Sequence, residues 1–206
     1  MKKRIIMVSV LACAILIISG SIVYGQRYNK NLVEWGKDMA SVASEDDGTE
    51  VKAGVITRQE LQVATSYYVQ MGYEENEALD AAKEYLLKRE ALYMEAVSNG
   101  YSASDEEVWE YLDELKETVK NADNSADVYA VIEQFDSEED FWNYEFIVYK
   151  KDLPAQNYVS DMENSYGDTA SNKDLTENQS DTTWETYFEN LKDELQEKYE
   201  DKIVFE

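Results

Sequence analysis

Residues 56–108 read ITRQELQVATSYYVQMGYEENEALDAAKEYLLKREALYMEAVSNGYSASDEEV. The segment contains two helix starts of the same kind, at Thr57 and Ser104, each followed three residues later by glutamate. This spacing predicts a capping box, in which hydroxyl and carboxylate satisfy backbone N–H groups of the first turn. Between the two starts, apolar residues form two stripes of a helix predicted from 75 to 98, and Gly100 ends it. Two stripes need neighbours on two sides, so this helix is predicted to be central.

The remaining chain predicts further helices and one small sheet. Ser125 is expected to cap a short helix, and a longer helix after it is expected to kink or restart at Pro154, which lacks a backbone donor. Helical spacing returns after residue 183. The two segments 51–56 and 202–206 have the composition of short strands. The predicted fold class is therefore mainly α, a multi-helix module with a two-stranded antiparallel sheet joining these segments.

The N-terminus has the pattern of a membrane segment. Three basic residues precede an uncharged apolar run at residues 5–24, whose 20 residues match the roughly 20 needed to cross a bilayer as a helix. The basic flank predicts that everything after the run lies outside the cytoplasm, as a single-pass cell-membrane protein. Two alternatives are a secreted chain cleaved before Gln26 and a lipoprotein processed at Cys13.

These patterns divide the chain into five parts. They are a signal-anchor or transmembrane segment at 1–25, a juxtamembrane spacer at 26–50, a helical domain at 51–164, a flexible linker at 165–182, and a helix and strand at 183–206 that return to the domain. The linker prediction rests on its serine, threonine, asparagine, aspartate and glycine content.

Charge limits the class of partner. Beyond the apolar run the chain has 16 basic and 44 acidic residues, a formal net charge of −28. Such a surface repels phosphate backbones, so nucleic acid is not an expected partner. An acidic surface that only keeps the protein soluble explains the same composition.

Three segments resemble the N-terminal chaperone domain of the SurA family and of the related foldase PrsA. They are the entry to the first helix at 56–61, the long-helix segment LLKREALYMEA at 86–96, and the junction GYSASDEEV at 100–108. The resemblance covers about residues 51–162, with 184–205 matching the returning C-terminal helix and strand. It implies binding of unfolded polypeptides, without ATP or cofactor.

Relatives of this type insert a parvulin prolyl isomerase domain before the C-terminal helix. Here only 165–182 occupies that place, and the chain has no histidine, the residue that parvulin sites use. The chain also lacks cysteine after Cys13, so the usual general bases, thiol nucleophiles and zinc ligand sets are missing. We therefore expect no enzyme activity, no metal and no cofactor. The paired carboxylates of the sequence fall in predicted first helical turns, where the helix dipole stabilises negative charge.

The aromatic residues are the best functional clue, because tyrosine and tryptophan combine apolar faces with a polar edge. The candidate client-binding residues are Tyr67, Tyr68, Tyr85, Tyr93, Trp109, Tyr111, Trp142, Tyr144 and Tyr149. For each of them the alternative is a place in the core. Two functions follow: a membrane-tethered extracytoplasmic chaperone or holdase for newly exported chains, and a dedicated protein-interaction or assembly subunit with one fixed partner.

Overall fold

Seven α-helices, one short 3-10 helix (Glu200–Lys202) and two short strands make up the part of the chain that the computed structural model describes, residues 27–44, 51–172 and 183–206. Side chains are described for 31–44, 51–166 and 183–206. In chain order the elements are α1 (Arg27–Ala43), β1 (Val55–Ile56), α2 (Arg58–Gln70), α3 (Glu75–Ser98), α4 (Asp105–Asn121), α5 (Ser125–Ile132), α6 (Glu138–Asn172), α7 (Trp184–Tyr199) and β2 (Val204–Phe205). The mainly α class is confirmed for these residues. The segment predicted to be a membrane helix, 1–25, lies outside them.

Both predicted capping boxes are present. The Thr57 hydroxyl accepts from the Glu60 N–H at 3.1 Å, and the Glu60 carboxylate accepts from the Thr57 N–H at 2.8 Å. Ser104 and the glutamate three residues later form the same pair at the start of α4. The prediction for Ser125 is wrong by one residue, because Asn124 holds the cap position and Ser125 is the first residue of α5.

Helix α3 is central, as its two apolar stripes predict. It packs against α2, α6 and α7, and it keeps the predicted bounds of 75 and 98. Several of its buried positions are alanine, including Ala82, Ala91 and Ala96, whose small side chains let neighbouring helices approach closely. No helix within the described ranges combines the length and the apolar character needed to cross a membrane.

Helix α1 corrects the predicted spacer over residues 27–43, while residues 26 and 45–50 lie outside the described residues. Its residues Leu32, Trp35, Met39 and Val42 are buried at helical spacing, and the helix packs against α2 and α5. The Trp35 ring N–H also donates to the Val63 carbonyl at 3.2 Å. Residues 27–43 therefore belong to the core of the domain. The apolar pattern of this segment was visible in the sequence, but the face it packs against was not.

Helix α6 corrects two further predictions. It continues through Pro154 without a break, because the flanking Leu153, Ala155 and Val159 are buried and their packing holds the turn in place. It also continues to Asn172, so the first part of the predicted linker at 165–182 is helical. The rest of that predicted linker, 173–182, lies outside the described residues.

The two strands pair in parallel, so the predicted antiparallel sheet is wrong. Val55 lies opposite Val204, and Ile56 opposite Phe205. A parallel pair needs a long crossover connection, and the whole helical module between β1 and β2 supplies it. Each strand spans only two residues, shorter than predicted, because Gly54 turns the chain with a φ of +84° just before β1.

Candidate functional site

An apolar groove with a cavity of about 120 Å³ lies between the end of α1, the β1 segment and α6. Its lining residues are Val42, Ala43, Val51, Lys52, Val55, Thr57, Gln59, Glu60, Tyr144, Ile147, Val148, Lys151 and Glu206. A dry apolar cavity of about 150 Å³ accommodates one benzene molecule. The groove therefore has room for one apolar side chain of moderate size.

One face of α6 forms the longest wall of the groove. Tyr144, Ile147, Val148 and Lys151 have the spacing i, i+3, i+4 and i+7, which places them in one row along a helix. All except Lys151 are half-buried, so the groove is open to solvent along this wall. Tyr149, one residue outside the row, is fully buried in the core.

The opposite wall comes from β1. Side chains alternate along a strand, so Ile56 enters the core while Val55 faces the groove. Glycine is required at position 54 for two reasons. Its φ is positive, and a Cβ there would lie 2.9 Å from the Lys202 carbonyl oxygen. Gly54 thus lets β1 and β2 approach and fixes the position of Val55.

A buried ion network lies at the polar end of the groove. Lys151 Nζ donates to Glu90 Oε2 at 2.9 Å, to the Val55 carbonyl at 2.7 Å and to Glu60 Oε1 at 3.0 Å. These three bonds use the three donors of the ammonium group. Lys151 therefore ties α6 to β1 and to the start of α2, and holds the groove walls at a fixed separation.

Arg89 extends the network into α3. Its Nε donates to Asp152 Oδ1 at 2.9 Å, and its Nη1 donates to Glu60 Oε1 at 2.8 Å. Glu90 accepts from the Gly54 N–H at 2.7 Å. Two cations thus face three carboxylates. Because the groups are buried and the carboxylates outnumber the cations by one, losing either cation leaves buried negative charge without a partner.

The carboxyl groups of the network differ in pKa. Burial raises the pKa of Glu60, but Arg89, Lys151 and the Thr57 N–H outweigh it and lower the pKa to about 2. Burial dominates at Asp152 and raises its pKa to about 6, although Arg89 acts in the opposite direction. Asp152 Oδ2 is buried without a hydrogen bond, which explains why its charge is poorly compensated. Burial also raises the pKa of Glu90.

The structure does not bring the nine predicted aromatic residues into one cradle. They lie on α2, α3, α4 and α6, and Tyr144 alone among the nine lines the groove. Trp142 and Tyr149 are 4% and 0% exposed, so they are core residues. Trp109 stacks on Phe146 at 4.7 Å between ring centroids. Client contact stays a prediction for the partly exposed members.

Four of the remaining candidates pack against the core, namely Tyr67, Tyr68, Tyr85 and Tyr111. Tyr67 contacts Trp35 and Tyr68, with centroid separations of 5.2 and 5.5 Å, and so joins α2 to α1. Tyr111 contacts Tyr149 at 5.1 Å and joins α4 to α6. Tyr93 is half-buried on α3.

The sequence interpretation missed the groove wall and the ion network. The row of Tyr144, Ile147 and Val148 was a usable signal, because its helical spacing continues to a lysine one turn later. Adjacent opposite charges inside apolar helices, as at Arg89 with Glu90, were a second signal of buried ion pairs. Among the described residues, no group of three or more histidine, cysteine, aspartate or glutamate side chains is placed to hold a metal ion.

The chain matches no protein-family model, no curated protein and no solved structure. The resemblance to the SurA N-terminal domain therefore rests on the three sequence segments and stays a prediction. The chemistry of the groove itself is that of a binding site for an apolar group next to a buried ion network.

Proposed function

We propose that this chain is a membrane-tethered extracytoplasmic chaperone or holdase that binds unfolded or newly exported polypeptides, without prolyl isomerase activity. The apolar groove between β1 and α6 carries the proposal. It offers a concave apolar surface on an otherwise acidic protein, and its walls are held apart by Lys151. Burying one large aliphatic side chain stabilises a complex by about 1.5–3 kcal/mol, which suits binding that must be reversible.

The acidic surface supports the same function. A formal net charge of −25 keeps copies of the protein apart while apolar groups are exposed. It also attracts segments that carry lysine or arginine beside an apolar residue. The tether, the location outside the cytoplasm and the relation to SurA rest on the sequence patterns at 1–25 and 56–108.

The test compares two identical substitutions on the full-length chain. Val148→Asp places a charge in the groove wall, whereas Val97→Asp places one on α3 outside the groove, at a residue that is already exposed. We expect Val148→Asp to weaken client binding by about tenfold or more, the equivalent of one buried apolar side chain. Val97→Asp is expected to bind as the wild type does.

The readout is suppression of aggregation of a denatured client protein at increasing chaperone concentration. Thermal unfolding of both variants checks that each remains folded. A wild-type chain that leaves aggregation unchanged at severalfold molar excess would rule out the holdase function. Equal activity of the two variants would show that clients bind elsewhere.

A dedicated assembly subunit is the second candidate, and the size of the groove favours it. The groove cavity of about 120 Å³ fits one anchoring side chain, and two of the nine candidate aromatic residues are in the core. A photo-crosslinking residue at Gln59, on the groove lining, separates the two functions in cells. One dominant adduct indicates a fixed partner, and many adducts indicate a chaperone.

A further inference from the structure

The sheet of β1 and β2 has one edge closed by a side chain and one edge open. The Val204 and Glu206 N–H groups donate to the Gly54 and Ile56 carbonyls at 2.9 and 3.0 Å. Backbone groups of successive strand residues point to opposite edges. The N–H and C=O of Phe205 therefore point away from β1, along the outer edge of β2.

The outer edge of β1 is not available for pairing with a further strand, because a side chain already occupies it. The Val55 carbonyl points out of β1 on the side opposite β2, and Lys151 Nζ donates to it at 2.7 Å. Within the described ranges the sheet contains two strands only, so no third strand covers β2. The backbone of Phe205 is the place where the sheet can be extended.

The side chains of β2 are unusually exposed for apolar residues. Val204 is 48% exposed and Phe205 is 43% exposed. Val204 lies opposite Val55 in register, and paired residues in a sheet point to the same face. Since Val55 lines the groove, the exposed side chain of Val204 extends the apolar surface of the groove towards the open edge.

We propose that an extended polypeptide segment binds by adding a strand to the outer edge of β2. The inference rests on the proposed function and names the binding mode of the client. An added strand pairs with the Phe205 N–H and C=O, and every second side chain of the strand faces the groove side of the sheet. The client segment therefore alternates apolar and polar residues.

Charge selects the client rather than a second copy of the chain. Glu200, Asp201 and Glu206 are exposed in the sequence around β2, where Lys202 is the one basic residue among 200–206, and the protein as a whole carries a net charge of −25. Two such edges repel each other, whereas lysine or arginine beside the client strand is attracted. The favoured occupant is thus an extended apolar segment with basic flanks.

The test uses a fluorescein-labelled peptide in which three valines alternate with threonines between pairs of lysines. Full-length Phe205→Pro and Phe205→Ala are compared. Both lose the aromatic ring, but only proline removes the outward N–H and places its ring on that edge. Proline is tolerated on an edge strand when its nitrogen faces outward, and the two hydrogen bonds to β1 do not involve residue 205.

We expect Phe205→Pro to bind the peptide about tenfold more weakly than Phe205→Ala, by fluorescence anisotropy, as loss of one or two backbone hydrogen bonds requires. Hydrogen exchange provides a second readout. Mass spectrometry of the fragment containing residues 203–206 should show one further protected amide in the wild type when the peptide is added.

The outcomes separate this inference from the proposed function. If Phe205→Pro and Phe205→Ala bind equally while Val148→Asp fails to bind, the strand-addition inference is wrong and the groove function stands. If the wild type prefers the valine peptide no more than one with serines in place of valines, both are wrong. If wild-type dimers dissociate in Phe205→Pro, the edge pairs with a second copy and the inference is overturned.

Discussion

Asp152 is the residue at which the buried network is least satisfied. One of its carboxylate oxygens accepts from Arg89 Nε, while the other is buried without a hydrogen bond. Burial raises its pKa to about 6, above the value of about 3.9 in an unfolded chain. The folded protein therefore binds a proton more tightly at Asp152 than the unfolded chain does. Stability contributed by this proton is lost as pH rises from about 4 through 6.

Asp152→Asn is expected to stabilise the protein at neutral pH. The amide keeps an oxygen for Arg89 but carries no buried charge, so the variant mimics the protonated carboxyl. We expect its free energy of unfolding to exceed that of the wild type by about 2 kcal/mol at pH 7.5, and the difference to fall to roughly a third of that near pH 4.5. Urea denaturation at both pH values measures it. A variant less stable than the wild type at pH 7.5 would show that the Arg89 ion pair outweighs burial.

The pKa of Glu60 is shifted in the opposite direction to that of Asp152. This shift sets the lowest pH at which the two proteins can be compared without a contribution from Glu60. Its pKa of about 2 in the folded protein lies below the usual value of 4.5. The stability that its charge contributes is present above about pH 4.5 and is lost as pH falls towards 2. Measurements above pH 4.5 therefore exclude Glu60, and comparison of the wild type with Asp152→Asn separates Asp152 from Glu90, whose pKa is also raised by burial. Residue spacing could not predict either shift, because both depend on partners from α3 and α6 that the fold brings together.

At the scale of elements, α1 and α5 approach unusually closely at Gly36. A Cβ at this position would lie 3.1 Å from Val131 Cα and 3.2 Å from the Val131 carbonyl oxygen. Alanine normally stabilises a helix relative to glycine by roughly 0.5–1 kcal/mol. Here the contact is with backbone atoms, which cannot rotate away, so the helices must separate.

Gly36→Ala is therefore expected to destabilise the protein by about 1–2 kcal/mol, because overpacking outweighs the gain in helix propensity. The neighbouring Lys37→Ala is the control, since Lys37 is exposed on the same helix. Urea denaturation of both full-length variants gives the comparison. If Gly36→Ala is more stable than the wild type, α1 does not pack on α5, and the segment behaves as the spacer that its sequence predicted.

The elements that the sequence predicts correctly are those fixed by neighbouring residues. Thr57 and Ser104 determine their helix starts through bonds that span only three residues, and the bounds of α3 follow from local periodicity. Strand direction, the course of α6 through Pro154 and the packing of α1 depend on distant parts of the chain. The groove falls between these cases. The row on α6 can be read from spacing, but its position opposite Val55 cannot.

At the scale of the whole molecule, the net charge of −25 acts on folding and on client binding in opposite directions. Repulsion among carboxylates opposes the compact state. Salt weakens this repulsion, because the Debye length falls from about 30 Å at 0.01 M to about 3 Å at 1 M. The same screening weakens attraction between the acidic surface and a basic client. Salt should therefore strengthen the fold and weaken the complex.

Between 20 and 500 mM NaCl, we expect the melting temperature to rise by about 3 °C, since 1 kcal/mol shifts it by about 2–4 °C in a protein of this size.

Over the same range of NaCl concentration, association with the valine peptide flanked by lysines should slow by about tenfold or more. Stopped-flow fluorescence measures that rate. The double variant Glu110→Lys and Glu194→Lys, at two exposed positions on α4 and α7, is the control. It should show a smaller salt effect on both quantities, because each substitution replaces a negative charge by a positive one and makes the net charge less negative by two units. If salt leaves the association rate unchanged, charge does not guide the client, and apolar contact with the groove alone accounts for binding.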